Sequence, residues 1–121
     1  MPETCVVAIV DDDPDIRASL ESLMRSAGLA PRCFESGGSL LADPSSAGIS
    51  CIVTDLHMPG MTGLELQKEL ARRGWRQKVI LMTAFPSEAT RAQALAAGAV
   101  SYLPKPIDPD ALLEAIETAT H

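Results

Sequence analysis

The stretch Val6-Val7-Ala8-Ile9-Val10-Asp11-Asp12-Asp13-Pro14-Asp15-Ile16 joins an apolar run directly to four carboxylates within five positions. An uninterrupted apolar run of this length is typical of a strand that is buried on both faces of a parallel sheet. Like charges this close together repel one another, so the acidic residues need separate structural tasks or a cation that offsets them. The stretch therefore predicts a buried first strand whose carboxyl end carries an excess of negative charge.

The rest of the chain repeats this alternation of strand and helix. Short β-rich runs occur at residues 5–10, 31–34, 49–54, 78–82 and 100–103. Between them, apolar residues recur at the spacing of one helix face, and glycines follow several of these segments. The residues that carry this pattern are Ile16, Leu20, Leu23, Met24 and Ala27; Leu66 and Leu70; Ala89, Ala92 and Ala96; and Leu112, Leu113, Ile116 and Ala119, with a short, weakly specified helix around Ser39 and Ala42. The pattern predicts an α/β fold in which a five-stranded parallel sheet is doubly wound by helices.

Composition limits the possible functions. The 121 residues suit one domain, 46% of them are apolar, and the net charge of −6 favours neither nucleic acid nor an anionic membrane. No apolar run approaches the ~18 residues of a membrane span, and Met1-Pro2-Glu3-Thr4 does not resemble a signal peptide. Three cysteines, Cys5, Cys33 and Cys51, form no CxxC pair and are expected to be buried free thiols. The sequence thus predicts a cytoplasmic domain.

Polar residues stand at the predicted strand ends. Asp11 and Asp12 follow the first strand, Asp55 the third, Thr83 the fourth, and Lys105 comes just after the fifth. Open parallel sheets bind ligands beyond the carboxyl ends of their strands, where the strand order reverses. These residues are therefore expected to lie near one another and to form the functional site.

The acidic stretch divides into two parts when it is compared with a second one. Asp108-Pro109-Asp110 also precedes a helix, and an Asp cap followed by Pro and a second Asp is favourable helix-starting chemistry. The same explanation covers Asp13 and Asp15. It leaves Asp11 and Asp12, which together with Asp55 would suit a hard divalent ion such as Mg²⁺. On spacing alone, a solvated acidic loop explains the excess charge equally well.

These motifs together resemble a response-regulator receiver domain of two-component signalling. The motifs are Asp11-Asp12, Asp55 followed by Met58-Pro59-Gly60-Met61-Thr62-Gly63, Thr83-Ala84 and Lys105-Pro106. Residues 9–20 and 54–70 are most similar to the FixJ-like subgroup. The resemblance implies a single receiver domain over residues 1–121, with the flavodoxin-like strand order 2-1-3-4-5. FixJ-like members usually continue into a DNA-binding effector domain, and none is expected within this chain.

The resemblance also implies roles for individual residues. Asp55 would be the phospho-acceptor, taking a phosphoryl group from a histidine kinase or a phosphotransfer domain. Asp11, Asp12, Asp55 and the main-chain carbonyl of His57 would hold Mg²⁺. Lys105, preceding a cis peptide bond to Pro106, and Thr83 would contact the phosphoryl oxygens. The domain would be a signalling module rather than an enzyme, with autophosphotransfer and self-dephosphorylation as its only chemistry.

Switching and partners follow from the same resemblance. Movement of Thr83 toward the phosphoryl group would let Tyr102 turn inward. The fourth helix, fifth strand and fifth helix would then form the surface for an output domain or partner in transcription regulation, or for a phosphorylation-dependent homodimer. The first helix, with Ile16, Arg17 and Leu20, is the expected kinase-docking surface. Direct contact of this chain with nucleic acid or membrane is not expected.

Two positions beside the expected site carry bulky side chains. His57 and Phe85 each follow a site residue by two positions and are expected to hinder the hydrolytic water.

Two other function classes compete with the receiver interpretation. A haloacid-dehalogenase-like phosphatase would need an acid where His57 stands, which disfavours that class. A receiver-like interaction module that is never phosphorylated would not need the set Asp12, Asp55, Thr83 and Lys105.

Overall fold

Five strands and five helices alternate along the chain, as the sequence predicts. The computed structural model describes residues 5–120, so the segment 1–4 that bears on a signal peptide lies outside the described residues. The elements are β1 (Val6–Val10), α1 (Pro14–Ser26), β2 (Ala30–Phe34), α2 (Gly37–Leu41), a 3₁₀ turn (Ser46–Gly48), β3 (Cys51–Asp55), α3 (Gly63–Arg72), β4 (Lys78–Thr83), α4 (Glu88–Ala96), β5 (Ser101–Pro104) and α5 (Pro109–Thr120).

The strands form one parallel sheet in the order β2-β1-β3-β4-β5. This is the predicted doubly wound order. The three central strands are almost wholly buried, whereas the edge strands β2 and β5 are half-buried. The order reverses between β1 and β3, so the carboxyl ends of those two strands open the crevice in which such folds bind ligands.

Alternate residues of each central strand face opposite layers, because side chains in a strand have a period of two. Ala8, Val10, Ile52 and Leu81 pack toward α2, α3 and α4. Val7, Ile9, Val53, Ile80 and Met82 pack toward α1 and α5, where Leu20, Met24, Leu112 and Ile116 cover them. The predicted core faces of α1, α3 and α5 are therefore confirmed, except at Ala27, which is exposed and follows α1 as its C-cap.

The face of α4 differs from the prediction. Ala89, Ala92 and Ala96 are exposed, and Ala94 is the buried residue of this helix. Four of the nine residues of α4 are alanines and its one larger apolar side chain, Leu95, is exposed, so the hydrophobic period could not identify the inner face. Polar bonds supplement this sparse packing, because the buried Gln67 of α3 donates from Nε2 to the Ala94 carbonyl at 3.0 Å.

Three of the predicted strands end one residue later than expected, at Asp55, Thr83 and Pro104. Asp55 is the last residue of β3 and Thr83 the last residue of β4, so the hydrogen-bonded strand ladder itself holds their backbones.

Burial of the cysteines is less complete than predicted. Cys51 is buried, whereas Cys5 and Cys33 are half-buried, and all three are free thiols. No helix in residues 5–120 is long and apolar enough to cross a membrane.

Gly63 shows how closely α3 approaches the end of β3. A Cβ atom at this position would lie 2.5 Å from the carbonyl oxygen of Asp55 and 2.9 Å from Cα of Leu56. Both are backbone atoms that a rotamer change cannot move away. The Thr62 hydroxyl caps the helix at this point and Glu65 completes a capping box.

We therefore expect Gly63→Ala to lower the free energy of unfolding by about 2 kcal/mol or more, since overpacking against backbone forces β3 and α3 apart. Urea unfolding measures this loss. Gly48→Ala is the matched control, because a Cβ atom there meets nothing within 4 Å. Equal stability of the two variants would contradict the close approach.

Candidate functional site

Asp11 lies at the centre of the carboxyl edge of the sheet. It is fully buried, and its two carboxylate oxygens have different partners. Oδ1 accepts the backbone N–H of Asp13 at 2.9 Å, and Oδ2 accepts from the Lys105 amine at 3.0 Å. The Lys105 amine also lies 3.4 Å from Oδ1 of Asp55. Lys105, which lies 94 positions from Asp11 in the sequence, thus bridges the two buried carboxylates.

The loop that carries Asp11 is fixed by its backbone as well. Its N–H donates to the Phe34 carbonyl at 3.1 Å, and its carbonyl accepts from Nη1 of Arg17 at 2.7 Å. Asp13 then caps α1, because its side chain accepts the N–H of Asp15. The predicted helix-starting role of Asp13 is confirmed. The structure differs from prediction for Asp11, which also accepts a backbone N–H of this turn.

Asp12 is the carboxylate left over. It is exposed, and within residues 5–120 its side chain makes no hydrogen bond or ion pair. Asp11, Asp12 and Asp55 can each place a carboxylate oxygen within 4.8 Å of the others. Three carboxylates against one lysine leave two uncompensated negative charges, and an all-oxygen set of this kind suits a hard divalent cation.

Burial dominates the titration of Asp55. Removal from water raises its pKa, the Lys105 charge lowers it, and the Asp11 charge raises it again, with a net upward shift. The pKa of Lys105 is also raised: burial opposes its charged form, but the bond to Asp11 and the charges of Asp11 and Asp55 outweigh that effect. The amine therefore stays charged as the resident counterion of the site.

Thr83 ends β4 beside this group. It is fully buried, and its hydroxyl oxygen accepts the N–H of Phe85 at 3.0 Å. Its carbonyl accepts the N–H of Lys105 at 2.7 Å, so the fourth and fifth strand ends are joined. The predicted residues Asp11, Asp55 and Lys105 share direct contacts, and Thr83 is tied to Lys105 through backbone. The Lys105–Pro106 peptide bond is cis, as predicted.

His57 and Phe85 form a pair at the rim. Their ring centroids are 5.6 Å apart and the rings meet edge to face, at 77°. Both residues are exposed, and 73% of the Phe85 surface is accessible. The backbone N–H of His57 lies near the Asp55 carboxylate and acts to lower its pKa. The predicted metal contact of the His57 carbonyl is not tested by these contacts and stays a prediction.

Tyr102 makes contacts that the sequence did not reveal. Its hydroxyl bonds to the Thr90 hydroxyl and accepts the N–H of Ser87 at 3.3 Å. Ser87 is the N-cap of α4 and accepts the N–H of Thr90 at 3.1 Å. The sequence holds one signal for this cluster, because Ser followed three residues later by Thr suits a helix start. Arg17 was predicted only as a docking residue, and no signal pointed to its bond with Asp11.

Comparison with known proteins gives the same assignment. The response regulator receiver domain family matches residues 7–117. The chain belongs to this family. The receiver domain is 40% identical to the transcriptional regulatory protein FixJ of Azorhizobium caulinodans over 98% of the chain and 56% of FixJ. The crystal structure of FixJ-N has a TM-score of 0.88 at 32% identity, covering 98% of this chain and 95% of that one.

A second solved structure gives the same result. The response regulator StyR has a TM-score of 0.90 at 36% identity, covering 98% of this chain and 60% of StyR. The receiver domain spans about half the length of the regulators it matches in sequence, such as FixJ and the response regulator protein TmoT of Ectopseudomonas mendocina. The fold and the signalling-domain assignment are thus confirmed.

The raised pKa of Asp55 leads to a stability prediction for the metal-free receiver domain. Because the folded state binds this proton more tightly than the unfolded state, ionisation of Asp55 opposes folding. Stability is therefore lost as the pH rises between the unfolded and folded pKa values, and the loss is complete above the folded one. With EDTA present, Asp55→Asn should be more stable than wild type at pH 7, and the difference should vanish in acid.

Urea unfolding across this pH range measures the effect. Glu114→Gln on α5 is the control, since this residue is exposed and should show no such pH-dependent gain. An Asp55→Asn variant that is less stable than wild type at pH 7 would mean that the contact with Lys105 outweighs the cost of burial.

Proposed function

We propose that this receiver domain accepts a phosphoryl group on Asp55 from a histidine kinase or phosphotransfer domain, with Mg²⁺ as cofactor, and passes the signal to an output domain or protein. The observation that carries the proposal is the grouping of three carboxylates within 4.8 Å around a lysine amine. Carboxylates are competent nucleophiles for phosphoryl transfer when the charge of the transferred group is offset.

Asp12 and Asp55 would ligate the metal, with Asp11 contributing directly or through water. Asp12 is free for this task, whereas Asp11 already accepts two hydrogen bonds. When bound, Mg²⁺ would offset the negative charge of the phosphoryl oxygens. A carboxylate oxygen of Asp55 would form the new bond to phosphorus while the bond from phosphorus to the donor imidazole breaks. The site would bind Mg²⁺ before the phosphodonor, because its two uncompensated negative charges must be neutralised before a phosphoryl anion approaches.

Lys105 and Thr83 would hold the transferred group. The Lys105 amine lies between Asp11 and Asp55 and needs only a small movement to reach an oxygen on phosphorylated Asp55. The Thr83 hydroxyl accepts the N–H of Phe85, so its own hydrogen remains available for donation. Reorientation of Thr83 would pull on the segment from Phe85 to Ser87.

That segment leads directly to α4 and Tyr102. Ser87 caps α4 and donates its N–H to the Tyr102 hydroxyl, so a shift of this turn would weaken the hold on Tyr102. Ala94 is the buried residue of α4, which makes this helix easier to displace than its neighbours. The surface formed by α4, β5 and α5 would change shape, and it is our candidate for binding an output domain, a regulatory partner or a second copy.

A groove beside the site suits the phosphodonor. It has a volume of about 740 Å³ and runs between α1 and the segment after β5, with Lys105 at its edge. Its apolar lining, including Ile16, Leu20 and Ile107, would accept the apolar face of a donor helix. We expect the partner kinase to bind there, and the exchange to occur in the cytoplasm as the sequence predicts.

Phosphorylation can be tested directly. Incubation with Mg²⁺ and acetyl phosphate should add one phosphoryl group, observed by mass spectrometry, and Asp55→Asn should prevent the addition. No mass gain in the wild-type chain would favour a receiver-like module that works without phosphorylation. Multiple turnover of the phosphodonor with rapid release of phosphate would favour an aspartyl phosphatase.

Asp12 and Asp13 provide a matched pair of variants for the metal. Both are exposed neighbours that lose the same charge on replacement by alanine. Asp12→Ala should abolish Mg²⁺-dependent phosphorylation and leave the fold intact. Asp13→Ala should keep phosphorylation and cost about 1 kcal/mol of stability through the lost cap. Identical behaviour of the two variants would contradict this division.

The pair His57 and Phe85 is expected to slow loss of the phosphoryl group, because both rings stand at the rim where the attacking water must enter. The double variant His57→Ala, Phe85→Ala should lose its phosphoryl group several times faster than wild type. Decay of phosphorylated protein after removal of the phosphodonor measures the rate. Leu95→Ala, which removes an exposed apolar side chain on α4, serves as the control. A double variant no faster than wild type would exclude crowding as the cause.

A further inference from the structure

The positive charge of this receiver domain is concentrated in one segment. Residues 64–78 contain five cations and two acids, a net charge of +3, and the rest of the chain has five cations and fourteen acids, a net charge of −9. All five cations in the segment are exposed. They are Lys68, Arg72, Arg73, Arg76 and Lys78. An acidic protein thus presents a basic surface at the amino end of β4, opposite the phosphorylation site.

Part of this charge is already used within the fold. Glu69 on α3 pairs with both Arg72 and Arg73, and those pairs lower the pKa of Glu69 to about 2. Lys68, Arg76 and Lys78 differ, because none of them makes an ion pair anywhere in residues 5–120. Two of these free cations therefore flank the start of β4.

A cleft opens beside these cations. It has a volume of about 510 Å³ and lies between the 3₁₀ turn Ser46–Gly48 and the loop that joins α3 to β4. The half-buried indole of Trp75 and the side chain of Ile49 supply apolar surface. Arg76 supplies positive charge, and no acidic residue of the described chain lines the cleft.

The polar groups around the cleft are largely hydrogen-bond donors. The guanidinium of Arg76 and the hydroxyls of Ser46 and Ser50 lie along its wall. The amide nitrogen of Gln77 is already bound to the Ser46 carbonyl at 3.0 Å, which braces the two sides of the cleft. A ligand with carboxylates next to one apolar side chain would match both the charge and the shape of this surface.

We propose that the cleft at Trp75, with Arg76 in its lining, binds a short acidic peptide segment of a partner protein. The size of the basic surface favours a peptide over nucleic acid, because duplex DNA requires many phosphate contacts and the −9 remainder of the chain repels an extended polyanion. A short peptide needs only Arg76 and the apolar floor of the cleft. The site is remote from Asp55, so binding does not depend on phosphorylation.

The chain contains its own reporter for this binding, since Trp75 is its one tryptophan. Titration with a synthetic peptide of glutamates around a central leucine, at an ionic strength of about 0.15 M, should give a saturable change in tryptophan emission. Arg76→Glu should weaken binding about ten-fold or more, because the attraction between this residue and the peptide carboxylates becomes a repulsion. Asp55→Asn should bind as wild type, which separates this site from the phosphorylation chemistry.

Arg91→Glu is the matched control, because Arg91 is exposed on α4, away from the cleft, and the variant has the same net charge. It should bind within about two-fold of wild type, since a distant exposed charge is screened. Urea unfolding confirms that each variant is folded. An equal loss of peptide affinity in Arg91→Glu would show that the effect depends on net charge alone and would overturn the site. An unchanged tryptophan emission on titration of the wild-type chain would overturn it as well. Tighter binding of a short DNA duplex than of the peptide, lost in Arg76→Glu, would overturn the choice of ligand.

Discussion

The contact between the Lys105 amine and the carboxylates of Asp11 and Asp55 is the interaction on which the carboxyl edge of this sheet depends. Parallel strands bring their ends together, so any acids placed there lie close in space and repel one another in a poorly solvated site. Asp11 tolerates full burial because both its oxygens are occupied, one by an amine and one by a backbone N–H. Lysine suits this position, since a flexible ammonium can move to another anion without losing its charge.

That constraint also determines which acid is available for chemistry. Asp11 is bonded to Lys105 and to the Asp13 backbone, whereas the side chain of the exposed Asp12 can bind a new partner without disturbing the fold. Asp55 is intermediate, because it is buried yet held only through Lys105 and the His57 backbone. The close approach of Gly63 to the Asp55 carbonyl restricts the backbone of Asp55, so that the side chain is the part of this residue that can still move.

Sequence patterns predict those parts of the structure that depend on neighbouring residues. The central strands, the cap at Asp13 and the inner faces of α1, α3 and α5 all follow from short spacings. The inner face of α4 could not be predicted, because alanines offer no contrast between core and solvent. Bonds between distant residues, such as Lys105 to Asp11 and Gln67 to Ala94, also leave no local pattern. The grouping of Asp11, Asp55 and Lys105 followed from their positions at the ends of parallel strands, whereas the roles expected of them came from the resemblance to receiver domains.

Charge is separated along the strands of this sheet. The carboxyl edge gathers Asp11, Asp12 and Asp55, whereas the amino end of β4 lies beside the exposed cations Arg76 and Lys78. Helix dipoles do not account for this, because the C-terminus of α3 points to the basic end and supplies only a fraction of one negative charge. The two ends face opposite directions across the core, so each can bind a ligand of opposite charge without competing for the same surface. Chemistry at the acidic end would therefore leave the basic end accessible.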